Sequence, residues 1–174
     1  MKRFFICTLL VVSSIISFAQ DGLNGKWTST MSAMGMTATD VMIFNGEQSG
    51  TVIEKGTLFI KMNMFGINTT GTSEAYAEGT FTFDGSKLVI KWNKDKASFK
   101  MVKPITVVYK GEVVDDPKMK KDFQDMFDDQ EKEFLKSLEG DDIYTNVQIK
   151  GDKLSWKYID DEGKTQTEKY TRVK

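Results

Sequence analysis

Phe81-Thr82-Phe83-Asp84-Gly85-Ser86-Lys87-Leu88-Val89-Ile90-Lys91-Trp92 reads as two strands joined by a turn. A two-residue connection at Asp84-Gly85 supplies the positive φ angles of a type I′ hairpin. It sets Phe81 opposite Leu88. Phe81, Phe83, Leu88, Ile90 and Trp92 then share one face, while Thr82, Lys87 and Lys91 take the other, as a half-buried sheet requires.

The same pattern extends in both directions. Downstream, a turn at Lys94-Asp95 pairs Trp92 with Ala97, Ile90 with Phe99 and Leu88 with Met101. Upstream, a turn at Phe65-Gly66 pairs Met62 with Thr69 and Leu58 with Ser73. Large Leu58, Ile60, Met62 and Met64 thereby face small Gly71, Ser73, Ala75 and Ala77, an alternation that suits the inner face of a small barrel, filled or leaving a pocket. The other face carries Thr82, Lys87, Lys91, Ser98 and Lys100, which excludes the lipid-facing apolar band of an outer-membrane barrel.

After Pro104, which cannot donate to a ladder and marks a bulge or an edge, Ile105, Val107 and Tyr109 extend the strand. The period then changes. Asp116 caps and Pro117 opens a helix in which Met119, Phe123, Met126, Phe127, Phe134 and Leu138 recur near every 3.6 residues, over about residues 117–139 and ending at Gly140. Its other face is charged, with Lys120, Lys121, Asp128, Asp129 and Glu131. A helix packed on the barrel is the plain reading; a moving lid or a membrane-surface helix is the alternative.

Three strands close the chain. Gly151-Asp152 turns Val147 and Ile149 back onto Trp156 and Leu154, and Asp161-Glu162-Gly163 forms a three-residue loop with Gly in the left-handed position. That odd loop pairs Leu154 with Tyr170 and points Arg172 inward; a two-residue loop would bury Thr167, Lys169 and Thr171 instead. The expectation is an all-β fold, an antiparallel up-and-down barrel of about eight to ten strands with one amphipathic helix before the last three.

The first residues read as an address. Lys2 and Arg3 precede an apolar run from Phe4 to Phe18, and Ser17-Phe18-Ala19 offers small residues for signal peptidase, so residues 1–19 are expected to be a signal peptide and the protein to be periplasmic or secreted. The run is shorter than the ~20 residues of a spanning helix, so no integral membrane span is expected. Cys7 follows bulky Ile6, where a lipobox takes a small residue, and is discarded with the leader. From Gln20 onward the chain has no cysteine, and no histidine occurs anywhere among the 174 residues. Disulfides, thiol nucleophiles, thiolate metal sites, imidazole bases and the usual zinc ligands are thereby excluded. Without Lys2 and Arg3, 22 of the 24 basic residues stand against 25 acidic ones, a net of −3 with no basic patch, which argues against nucleic-acid binding.

Leu23-Asn24-Gly25-Lys26-Trp27-Thr28 resembles the Gly-x-Trp opening of the lipocalin and wider calycin families. In that family the Trp packs at the closed end of the barrel against an Arg from near the C-terminus, and Arg172 is the only arginine beyond the leader. The resemblance implies that Trp27 and Arg172 close the barrel, a guanidinium stacked over an indole contributing roughly 0.5–2 kcal/mol. The classical Thr-Asp-Tyr motif and disulfide are missing and the helix precedes the last strands, so the nearer likeness is to a bacterial lipocalin-like domain.

The resemblance further implies a cup for a small apolar or amphipathic molecule; no cofactor is expected, and with histidine and mature-chain cysteine missing no enzymatic activity is expected either. Met62, Phe81, Trp92, Phe99, Met101 and Trp156 are its candidate apolar wall. Met64 and Phe83 share that face. Tyr158 and Gln166, with Glu168, fall on the inner face by register and are candidates for a ligand's polar end. Each of these side chains serves equally as ordinary core or surface. A barrel with a filled core, acting as a protein-interaction module with an unspecified partner, is the second reading. Met31-Ser32-Ala33-Met34-Gly35-Met36 and Met62-Asn63-Met64 have the Met-x-Met spacing of copper(I) binders, but core packing explains them without a metal. Catalysis would have to rest on carboxylates such as Asp40 or Glu168 tuned by burial, and no pair of them is fixed by sequence. The remaining acidic clusters, Asp115-Asp116, Asp141-Asp142 and Asp160-Asp161-Glu162, fall at turns and helix ends and lack EF-hand spacing.

Overall fold

The computed structural model describes residues 22–33, 35–160 and 162–174. The expected signal peptide over 1–19, Cys7, Gln20, Met34 of the first Met-x-Met element and Asp161 of the last hairpin loop lie outside these residues. The strands are β1 (Gly25–Ala33), β2 (Met36–Asn45), β3 (Ser49–Met64), β4 (Ile67–Phe83), β5 (Leu88–Tyr109), the short β6 (Glu112–Val113), β7 (Asp141–Lys150), β8 (Lys153–Ile159) and β9 (Thr165–Arg172), with helix α1 (Pro117–Ser137) between β6 and β7. Each strand pairs antiparallel with its neighbours in the order β4-β3-β2-β1-β9-β8-β7-β5-β6, and β4 also pairs with β5. That last pairing closes eight strands into an up-and-down barrel, with β6 as a stub on the end of β5. Closure removes the sheet edges that would otherwise template association.

Turn chemistry sets the register where it is strongest. Phe65 and Gly66 both adopt positive φ, 53° and 80°, as a type I′ turn demands, and Met62 faces Thr69 while Leu58 faces Ser73. In the last hairpin Leu154 faces Tyr170, the register of the three-residue loop.

Two expected registers are corrected. At the first hairpin Phe83, not Phe81, is the partner nearest the turn: Phe83 faces Leu88 and Phe81 faces Ile90. The connection takes in Ser86 and Lys87 because Asp84 Oδ1 accepts from both backbone N–H groups, at 2.9 and 2.7 Å. A shift of two preserves side-chain parity, so the same residues still point inward. The larger correction is at Lys94-Asp95, where no hairpin forms. β5 runs straight through its 22 residues along β4, and a bulge between Asn93 and Ser98 absorbs the extra residues opposite Ala77. The turn-forming residues Asn93 and Asp95 are spent on an Asx contact, the Asp95 N–H donating to Asn93 Oδ1 at 3.1 Å. A second irregularity, opposite Thr70–Ser73, coincides with Pro104.

The closed end is packed solid. Trp27, Phe44, Val52, Leu88 and Ile90 are fully buried, with Phe81 edge-on to Phe44 at 5.1 Å between centroids. Trp27 Nε1 donates to Leu23 O at 2.7 Å. The Arg172 guanidinium lies 4.1 Å from the Trp27 ring centroid and donates to Asn24 O and Gly22 O at 2.6 and 2.9 Å. Arg172 thus ties the lead-in segment, the first strand and the last. Arg172→Ala should lower stability by roughly 1–3 kcal/mol through loss of stacking and charged hydrogen bonds, whereas exposed Lys174→Ala should change it by less than about 0.5 kcal/mol. Equal melting temperatures for the two variants would remove this contact from the account of stability.

α1 begins where Asp116 Oδ1 accepts from the Lys118 and Met119 N–H groups, at 2.8 and 3.4 Å, with Pro117 at the first turn. Phe127 and Phe134 pack on Phe99 at centroid distances of 6.3 and 6.0 Å. Phe99 belongs to the inward face of β5, so the helix lies at the open end of the barrel. No helix among the described residues is long and apolar enough to cross a membrane.

Candidate functional site: an acidic cavity inside the barrel

Above the packed end the interior opens into a cavity of about 350 Å³. Its size follows from the strand sequences: Asp40 on β2 faces Gly56 on β3, which faces Ala75 on β4. Small residues in one row leave unfilled the space that Phe44, Val52 and Phe81 occupy lower down. Met42, Leu58 and Phe99 supply the apolar wall. A second space at the rim, about 550 Å³, is bounded by Trp92, Phe134, Leu138 and Tyr158 and shares Glu54 and Tyr144 with the cavity.

The polar side of the wall is acidic. Asp40, Glu54 and Glu168 line the cavity, and Asp142 lines the rim space. Tyr170 donates to Asp40 Oδ2 at 2.5 Å and stands 3.5 Å from Glu168 Oε2. Trp156 Nε1 donates to Glu168 Oε2 at 2.7 Å, and Trp92 Nε1 to Asp142 Oδ2 at 2.6 Å. Tyr144 reaches Asp142 at 3.4 Å and stacks on Trp156, whose other neighbour is Tyr170, at centroid distances of 4.8 and 4.7 Å. Aromatic donors therefore hold three of the four carboxyl groups in place.

Enclosure governs the protonation of this group. Burial pushes the Glu54 carboxyl up to about 8, and the nearby carboxylates Asp40, Asp142 and Glu168 push it the same way. Burial also raises Asp40, against the hydrogen bonds from Tyr170 and the Val41 N–H, and raises Glu168, against the Trp156 bond. Tyr144 and Tyr170 are driven far above the ordinary phenol range, first by burial and then by neighbouring carboxylates, and stay neutral donors. Two buried side-chain atoms find no hydrogen-bond partner among the described residues, Asp40 Oδ1 and Ser73 Oγ. Both residues line this one cavity.

The side chains singled out in the sequence divide by height in the barrel. Phe81 and Trp156 belong to the packed core. Phe99 lines the cavity under the helix, and Trp92 and Tyr158 stand at the rim. Met62 and Met101 are half-buried, opposite Thr69 and Ser73, and neither lines the cavity. Gln166 is exposed and donates to Asp160 Oδ2 at 2.7 Å, outside the cup. The sequence offers Asp40 and Glu168 as possible buried carboxylates, whereas Asp142, read there as a turn or helix-end residue, lies in β7 and lines the rim space, and Glu54 carries no sequence reading. Their signal is parity: Glu54 is two residues from buried Val52, and Asp142 two from Tyr144.

Among the described residues no group of three or more His, Cys, Asp or Glu side chains converges closely enough to hold a metal ion. The chain matches no family model, no curated protein and no solved structure.

Proposed function

We propose that this chain is an exported lipocalin-like binding protein, not an enzyme, whose barrel interior takes up a small amphipathic molecule. The observation that carries the reading is the cavity of about 350 Å³ inside a closed barrel, at the size of a small-molecule site and with an apolar wall meeting a few convergent polar groups. Four carboxyl groups around that interior narrow the original expectation: a wholly apolar guest would leave Asp40 Oδ1 buried without a donor, at a cost of roughly 1–3 kcal/mol. The Gly-x-Trp opening, the Trp27–Arg172 contact at the closed end and the apolar leader support the lipocalin-like and exported parts of the reading.

Native mass spectrometry of the protein purified from an exporting host tests it. The expected result is a bound small organic molecule that survives gentle ionisation, is released by denaturation, and is missing from Leu58→Trp, where an indole fills the cavity. A bare parent chain that also fails to take up apolar fluorescent probes would sink the reading. A surface-acting barrel is the second reading, favoured by one observation: Phe65, Ile67, Tyr109 and Val113 are exposed together at the protruding end of β3 to β6, Phe65 by 93% of its surface.

A further inference from the structure

We propose that the guest is a protonated primary amine, a small alkyl- or arylammonium whose head sits between Asp40 and Glu54 and whose apolar body lies against Met42, Leu58 and Phe99. The inference rests on the binding-barrel reading and specifies its ligand.

Three observations converge on it. The first is charge without a counter-charge. Asp40, Glu54 and Glu168 line the cavity, and no lysine or arginine does. The lysines of these strands stand on the outer face, and Arg172 is occupied with Trp27 and two backbone carbonyls at the packed end. Buried carboxylates are ordinarily paired, and here the missing partner is a cation.

The second is hydrogen bonding. The two partnerless buried side-chain atoms, Asp40 Oδ1 and Ser73 Oγ, both belong to the cavity wall. No side chain among the described residues donates to Glu54, and the surface it retains is turned to the cavity and the rim space. In register, Asp40 faces Gly56, and Glu54 lies two residues along β3 on the same face. Ser73 stands across from Leu58, two residues beyond Gly56. Asp40 and Glu54 thus flank one part of the cavity, near enough for the Asp40 charge to act on Glu54, while Ser73 lies on the far side of the Gly56 row. The space between the two carboxyl groups calls for a compact donor with several N–H groups. A primary ammonium has three. A quaternary ammonium has none, and a neutral alcohol has one and no charge.

The third is the exclusion of the simpler cation. A divalent metal needs several oxygens converging at about 2.0–2.6 Å, and no such convergence exists among the described residues. The carboxyl groups are instead spread around an apolar space, with Tyr144 and Tyr170 beside them, which suits a charged head on an organic body.

Protonation sharpens the expectation. Glu54 faces Asp40 from β2, Asp142 and Tyr144 from β7, Tyr158 from β8, Glu168 and Tyr170 from β9, and at the rim Glu133 and Lys136 from α1 and Glu139 just past its end, with Asp160 beyond them. An arriving cation stabilises the ionised form of Glu54, so amine binding should release a proton near neutral pH and tighten as pH rises toward 8.

The test is calorimetric titration of the whole protein at pH 8 with 2-phenylethylamine, and with 2-phenylethanol as its neutral counterpart. Expected are an amine affinity at least about tenfold above that of the alcohol, and a loss of about tenfold or more of the amine affinity in both Asp40→Asn and Glu54→Gln, with alcohol binding nearly unchanged. Both substitutions are isosteric, and the second is expected to stabilise the fold. Alcohol binding as tight as amine binding, or amine binding indifferent to both variants, would overturn the amine inference while leaving a binding barrel. A trimethylammonium analogue binding as well as the primary amine, or calcium raising the melting temperature where the amine does not, would also overturn it. If no probe of either kind binds, the binding-barrel reading fails with it.

Discussion

At pH 8 the Glu54→Gln variant should melt roughly 5 °C or more above the parent chain, and the loss of stability expected of the parent between about pH 6 and pH 8 should be largely gone. The Glu54 carboxyl is raised to about 8 from an ordinary 4.5 by burial and by its acidic neighbours. Between those two values the folded protein holds a proton that the unfolded chain has released. Stability therefore falls as pH rises through that window, and levels off above the folded value. Each tenfold gain in proton affinity is worth about 1.4 kcal/mol, so the accumulated cost reaches a few kcal/mol. Glutamine keeps the shape and removes the titration. Asp40 and Glu168, raised in the same sense by burial, remain in the variant and contribute a slope of the same sign. Thermal melts of both proteins across the range decide it: superimposable profiles would mean that Glu54 is ionised and hydrated in the folded state at neutral pH.

Trp27→Ala should be among the most destabilising single changes in the chain, costing about 3–5 kcal/mol in urea unfolding. The indole is fully buried, donates to Leu23 O and is covered by Arg172. Alanine leaves a large cavity in the packed end, an unpartnered carbonyl on Leu23 and a guanidinium without its stacking surface. Trp27→Phe keeps the ring and should cost much less, about 1–2 kcal/mol, through the lost hydrogen bond and smaller area. A Trp27→Ala cost under about 1 kcal/mol would show that the closed end is not where the barrel draws its stability.

What could be read without coordinates was parity. In a barrel of antiparallel strands each residue is assigned to inside or outside by a period of two, and that assignment survives errors of register that are even. Misplacing the first turn by two residues left Phe81, Phe83, Leu88, Ile90 and Trp92 inside. The supposed hairpin at Lys94-Asp95 failed for a related reason: a run of polar turn-formers between two apolar segments describes a bulge as well as it describes a reversal. Trp92 and Phe99 point inward under either arrangement. Only long-range pairing with β4 decides between them. The acidic cavity was harder to see. Asp40 and Tyr170, in hydrogen-bond contact, are 130 residues apart, and Asp40 and Glu54 each arrive alone, as a single polar residue in an otherwise apolar inward row, while Glu168 shares its row with Gln166, Tyr170 and Arg172. No local motif announces it. A rule that flagged acidic residues at inward parity would have found Asp40, Glu54, Asp142 and Glu168 together.

The contact between Arg172 and the lead-in segment also bears on the order in which the barrel is made. β3 and β4 are joined by a tight turn and pair along their whole length, from Met64 and Ile67 to Ser49 and Thr82, so they meet early and at little entropic cost. β1 and β9 are different. They share only two residue pairs, Trp27 with Arg172 and Thr28 with Thr171, and bringing them together closes a loop spanning most of the described chain. Ladder hydrogen bonds alone are a weak return for that loss of freedom. The guanidinium, gripping carbonyls 148 and 150 residues away, works as a clasp that snaps shut once the rest of the wall has formed. Folding should accordingly proceed from the β3–β5 meander outward and finish at this fastening, which makes the last arginine the residue that turns a curled sheet into a vessel.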